Sequence, residues 1–236
     1  MKLKRSFLPW LAAIELSFTT HWILNGLNQE TISSMHQAAI LLTVPLLQGL
    51  WTAITVVLGH RNWFTQDRVL ESFPMIWLPL FPIVIQTTIF HLQWETVSQL
   101  IASSYPSILA LQGLRVFAVG SLVKWHLGLF PTAFGWGTAF PDMLFGLSAW
   151  VLWMFSDAVS WQLLAFWNAF GLLLVLPVGI LIVQLGMRPT RLYVSKAPYK
   201  LVFEYPMVLG PAVVVPILLS WNILLMRLSF EKLHQQ

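Results

Sequence analysis

The sequence contains no cysteine, which excludes disulfides, thiolate catalysis and cysteine-ligated metal or iron–sulfur centres. Charge is also scarce: only 9% of the 236 residues are Asp, Glu, Lys or Arg, where a soluble domain carries about 25%. That deficit excludes an ordinary water-soluble class. No glycine-rich phosphate loop and no His-Glu-x-x-His pair occurs. No Gly-x-Ser-x-Gly nucleophile elbow occurs either. Gly-x-x-x-Gly is missing, so that route to helix dimerisation is closed. No acidic or basic run is long enough to form a tail.

What remains is apolar. Hydrophobic residues make up 57% of the chain, with 16 Phe and 13 Trp. This is the composition of a membrane-embedded protein whose main partners are lipids. A helix needs about 20 mainly apolar residues to cross a core of about 30 Å. Seven stretches qualify, near 7–25, 36–58, 73–94, 106–124, 142–156, 161–184 and 205–227. The expected fold is all-α: a polytopic transmembrane bundle of about seven spans forming a single domain over 1–236. The first stretch is the most polar, with Glu15, Thr19, Thr20 and His21. Its basic start resembles the charged region of a signal peptide. Without a small-residue cleavage site it reads as a retained first span.

Lysine and arginine set the orientation. With the N-terminus cytoplasmic, Lys2, Lys4, Arg5, Arg61, Arg68, Lys124, Arg188, Arg191, Lys196 and Lys200 fall inside, and Arg227 and Lys232 outside. That is 10 against 2, with Arg115 within a span, accounting for all 13. The bias predicts N-in and C-out in the cell (cytoplasmic, inner) membrane. It also explains the net charge of +4 without nucleic acid as a partner. The basic loop from Gly186 to Lys200 could meet anionic headgroups, but topology alone accounts for it. Trp10, Trp94, Trp125, Trp161 and Trp221 fall near span ends, as an aromatic belt would.

Arg115 is the outlier, a charge inside the apolar run from Pro106 to Val123. Such a placement costs about 2.5–3.5 kcal/mol on insertion scales and marks a functional or structural site. After the fourth span comes an apolar stretch from Leu127 to Asp142, broken by glycine and proline. Irregular backbone survives at membrane depth only where protein or a cavity covers it. The stretch is therefore expected to dip back into the bundle from the inner face. Counting back from the outer end of the fifth span, Asp142 lies roughly 8 Å below the inner boundary. Arg115, nine residues before Lys124, lies about 13 Å from it. The difference is within an arginine's reach, so an Arg115–Asp142 pair is expected. Asp142 also reads as a helix N-cap after Pro141. Glu15, near mid-span in the first helix, is an alternative partner for Arg115.

Several residues carry a resemblance. They are Gln112-Gly-Leu-Arg115, Gly120, the run Gly128-Leu-Phe-Pro131-Thr-Ala-Phe134, and Asp142 with Gly146 and Ala149. The pattern is similar to that of a group of uncharacterised bacterial multi-spanning membrane proteins. These have an intramembrane arginine, a Leu-Pro-x-x-Phe-Ala-type turn and a Gly-Asp ahead of a small-residue helix. Pro141-Asp142 stands here in place of Gly-Asp. The proline-punctuated stretch from Glu204 to Pro216 resembles the end of that group. The resemblance covers about half the chain. It implies that Arg115 and Asp142 act as a unit, and it implies no reaction.

Prolines at 45, 79, 82, 177, 211 and 216 break the spans. They point either to kinked packing or to a polar cavity lined by Thr43, Thr52, Thr55, Gln86, Thr87, Thr88, Asn168 and Asn222. His21, His36 and His91 fall towards the outer face with Glu30 and Glu95, a weak ligand set for a metal or haem. No cofactor is specified. Three classes of function are open. One is transport or binding of a small molecule, proton or ion at a polar intramembrane site formed by Arg115, Asp142 and Glu15. Another is an accessory, pigment- or haem-associated subunit of a larger membrane complex, or a homo-oligomer. The last is an intramembrane lipid enzyme, for which no nucleophile–base pair is recognisable.

Overall fold

A computed structural model describes residues 6–66, 69, 77–173, 178, 182 and 199–235. Among them the chain is helical throughout, with no strand. Arg68, Pro177, the expected N-terminal charges, the second half of the sixth stretch and most of the basic loop lie outside these residues.

Helix α1 (Leu8–Asn28) starts with proline in its first turn, where the fixed φ suits a helix and the missing N–H costs nothing. Helix α2 (Met35–His60) is capped by Ser34, whose hydroxyl accepts from the Gln37 N–H at 3.1 Å. Helix α3 is Trp77–Leu92 and α4 is Trp94–Gln112. A 3-10 stretch (Gly113–Ala118) joins α4 to α5 (Val119–His126), giving a helical run of 33 residues. Helix α6 (Phe140–Met154) is entered through a short turn, Thr132–Phe134, and a π-turn, Gly135–Ala139. Helix α7 is Trp161–Leu173. Helix α8 (Val215–His234) follows a second π-turn, Gly210–Val214.

Among the described residues, three helices are long and apolar enough to cross a membrane: Met35–His60, Trp94–His126 and Gly210–His234. Helix α3 is apolar but shorter, at 16 residues. The protein is thus an all-helical membrane protein. Helix α8 is buried on every side, with Ile217, Leu218, Leu219, Trp221, Leu224, Leu225 and Leu228 all in the core. A helix apolar all round belongs at the centre of a bundle. It packs against α7, α3 and α4.

Contacts bring helix ends together in two groups. At one end the N-terminal side of α4 meets the C-terminal side of α8, where the Trp94 indole donates to the Glu231 carboxylate at 2.7 Å. Tyr105 donates to the Ser156 carbonyl at 2.6 Å on the same side. At the other end Tyr205 stacks on His60, and Phe7 meets Phe117.

The structure corrects three expectations. Residues 95–105, expected as an outer loop, belong to α4, which follows α3 after the single residue Gln93. Val97, Leu100, Ile101 and Ile108 are buried at helical spacing and make this segment a packing helix. Residues 132–142 do not form an irregular re-entrant segment. They run helically into α6, so Asp142 lies within a helical run of 23 residues rather than at its N-cap. Trp221 is not interfacial. Helix α8 extends to His234, which puts Trp221 at mid-helix, fully buried between Trp22, Phe18 and Phe90.

Candidate functional site

The descending run Trp94–His126 ends in a tight reversal. Gly128 takes a left-handed φ of 72°, which glycine adopts without a Cβ clash. The Leu129 N–H bonds the Lys124 carbonyl at 2.9 Å, and the Gly128 N–H bonds Trp125 at 2.8 Å. This is a Schellman termination, which satisfies carbonyls that the helix end leaves free. Pro131 then starts the ascending helix. Gly135 lets that helix lie flat against the Trp125 indole, where a Cβ would come within 2.6 Å of the ring.

The hairpin fixes the level of the charged residues. Arg115 lies 11 residues before His126, and Asp142 lies 10 residues after Thr132. At 1.5 Å per residue these are about 16 and 15 Å from the turn. Both residues therefore face each other at the same height. The Arg115 Nη1 donates to Asp142 Oδ1 at 3.0 Å. The arginine side chain is 1% exposed and the aspartate 15%.

Close packing holds the pair. Gly146, one turn beyond Asp142, sits against the backbone of the 3-10 stretch. A Cβ there would lie 2.5 Å from the Val116 nitrogen and 2.8 Å from the Arg115 carbonyl carbon. Ala149 continues this small-residue face. Gly113 makes the reciprocal approach to Trp150.

Further groups orient the guanidinium. Its Nε donates to Gln112 Oε1 at 2.9 Å, and Gln112 Nε2 donates to the Leu218 carbonyl of α8 at 2.8 Å. The Phe145 ring lies 4.9 Å from the guanidinium carbon and stacks on Trp167 with centroids 4.1 Å apart. Arg115 is thus tied to α4, α6 and, through Gln112, to α8. Its Nη2 is enclosed and finds no hydrogen-bond partner among the described residues.

Glu15 of α1 is fully buried, and neither of its oxygens accepts a hydrogen bond. It lies within electrostatic range of both Arg115 and Asp142. The three residues singled out from the sequence therefore occupy one region, with the ion pair formed to Asp142. Nearby polar groups are also unsatisfied. Both Asn222 side-chain atoms lack a partner, and its Nδ2 shares the space beside Gly171 with Phe145.

The other candidates scatter. Thr43, Thr52 and Thr87 bond carbonyls of their own helices, which absorbs their hydroxyls. Gln86 accepts from Gln48 at 2.9 Å and ties α3 to α2. Asn168 donates to the Leu164 carbonyl. His21 bonds Asn25 on its own helix, His36 is exposed, and His91 faces Arg227. Among the described residues, no three His, Asp or Glu gather as a metal site. Gln112 and Gly146 entered the sequence reading only as residues of the resemblance, and Phe145 was not singled out. Their signal was spacing: Gln112 three residues before Arg115, and Phe145 and Gly146 one turn after Asp142.

No family model matches the chain, and no match is found among curated proteins or solved structures.

Proposed function

We propose that this is a multi-pass protein of the cell membrane that binds or moves a small molecule, proton or ion through a polar site built from Glu15, Arg115 and Asp142. The observation that carries the reading is Glu15. An ion pair alone has a structural explanation, since two buried charges of opposite sign satisfy each other. A third, fully buried carboxyl without any hydrogen bond, within electrostatic range of a guanidinium that has an unused N–H, is not needed to hold the pair together. Ionisable groups at membrane depth by default mark a pathway or binding site. Two π-turns, Gly135–Ala139 and Gly210–Val214, flank the region. Such turns recur at functional sites.

The same reading takes seven spans with the N-terminus in the cytoplasm. The lysine and arginine bias supports it. Kinship with the multi-spanning bacterial group belongs to this proposal too, resting on Arg115, Asp142 and Gly146.

The test is flux in proteoliposomes, with an internal pH dye and a panel of labelled small solutes. The expected result is a flux that Arg115→Ala abolishes while the variant stays monodisperse. A flux unchanged in folded Arg115→Ala would overturn the reading.

A further inference from the structure

With Arg115, Asp142 and Glu15 all ionised, the triad carries one net negative charge, and Glu15 and Arg115 are buried. Arg115 and Asp142 satisfy each other, so the excess charge falls on Glu15. A buried carboxylate with no hydrogen bond is neutralised most simply by taking up a proton. A metal cation would demand a shell of several oxygens, and the described residues assemble no such group. A proton needs one oxygen.

We propose that Glu15 is a proton-binding site and that Arg115 is the arm that answers its loss. The proposal rests on the reading of the triad as an intramembrane polar site. In the structure shown, Nη1 holds Asp142 and Nη2 is idle. When Glu15 gives its proton to an entering water, a carboxylate and a hydronium result. The charge of the triad falls from zero to minus one, and the idle Nη2 turns to the new carboxylate. Return of a proton from water reverses the step. Rotation about the side-chain torsions of Arg115 supplies the movement, since Gly146 holds the backbone of Gly113–Ala118 in place.

The charged surroundings of Glu15 are few. Helix α1 packs on α2 and on the 210–214 turn. The titratable groups of α2 are His36 and His60, near its two ends, and the turn has none. The run from α4 to α5 contributes Arg115, and α6 contributes Asp142. Glu95 and Tyr105 of α4 lie towards the end where Trp94 meets Glu231. Arg227, Glu231, Lys232 and His234 of α8 gather at that same end, and Lys124 and His126 lie at the opposite end of the run. Among the described residues, Arg115 is the cation whose charge acts on the Glu15 carboxyl.

The experiment is an infrared pH titration of the purified full chain in lipid nanodiscs. A slowly deuterated carboxylic C=O band is expected that disappears as pH rises, is lost in Glu15→Gln, and shifts in Arg115→Lys. A wild-type spectrum with no titrating band that Glu15→Gln removes overturns the proposal. Should Glu15→Gln fail to fold, wild-type protein with carboxyl-13C glutamate replaces it. The band must then move with the label, and an unmoved band overturns the proposal. The two readings fail separately. A Glu15 band in a protein that carries no flux supports proton binding and removes transport. Solute flux without that band removes the proton site alone.

Discussion

Replacing both acids near Arg115 should cost more than the two single replacements together. Asp142→Asn removes one charge-assisted hydrogen bond, Nη1 to Oδ1 at 3.0 Å, worth about 1.5–3 kcal/mol. The loss should stay at the lower end, because Glu15 remains within electrostatic range to take over the guanidinium. Glu15→Gln alone breaks no hydrogen bond, so its effect should stay below about 1 kcal/mol, the scale of one ordinary bond. The double variant leaves a buried arginine with no acid, which costs about 3–5 kcal/mol. The expected coupling is therefore about 0.5–3.5 kcal/mol, against a scatter of roughly 0.3–0.5 kcal/mol for independent sites. Reversible unfolding in mixed micelles, titrated with a denaturing detergent, measures all four proteins. Single effects that add up to the double effect within that scatter would refute the idea that Glu15 and Asp142 share Arg115.

Two further outcomes follow from the packing and the topology. Gly146→Ala should destabilise by about 1–3 kcal/mol, since overpacking against fixed backbone cannot be relieved by a rotamer change. Gly120→Ala, with open space within 4 Å of where the new Cβ would lie, should be neutral or gain up to about 1 kcal/mol from helix propensity. Equal melting temperatures for the two variants would remove the close crossing at Arg115. The absence of native cysteine makes labelling clean. Ser33→Cys and Arg61→Cys, at opposite ends of α2, should react with a membrane-impermeant maleimide from outside and only after permeabilisation, respectively. The reverse pattern would invert the orientation.

Charge was the most legible signal in the sequence. Arg115 needed a partner, and the reversal after His126 put Asp142 at its height. That argument depends only on residue counts along two helices, so it survived a wrong view of the segment between them. The error there came from reading Gly135 and Gly137 as helix breakers. In a membrane helix, small residues instead serve close contact, and Gly135 lies against Trp125. Helix α8 failed differently. The seventh stretch was ended at Arg227, the first of the charges Arg227, Glu231 and Lys232, so Trp221 was placed near a span end rather than in the core.

Glu15 marks where sequence reasoning runs out. Counting residues gives its depth, but which way it faces depends on the rotation of α1, and that depends on packing. Trp22 of α1 donates to Ser104 at 2.6 Å and lies edge-on to Trp221, with centroids 4.9 Å apart. Phe18 also meets Trp221 edge-on, at 5.8 Å. Residues 15, 18 and 22 lie on one face of a helix by the three- and four-residue spacing. The aromatic contacts that turn Phe18 and Trp22 inward therefore turn Glu15 inward as well. The carboxyl is buried because its neighbours along the face are anchored on α8, even though it makes no hydrogen bond of its own. Loosening that anchor, rather than altering the carboxyl, is the route by which water would reach Glu15.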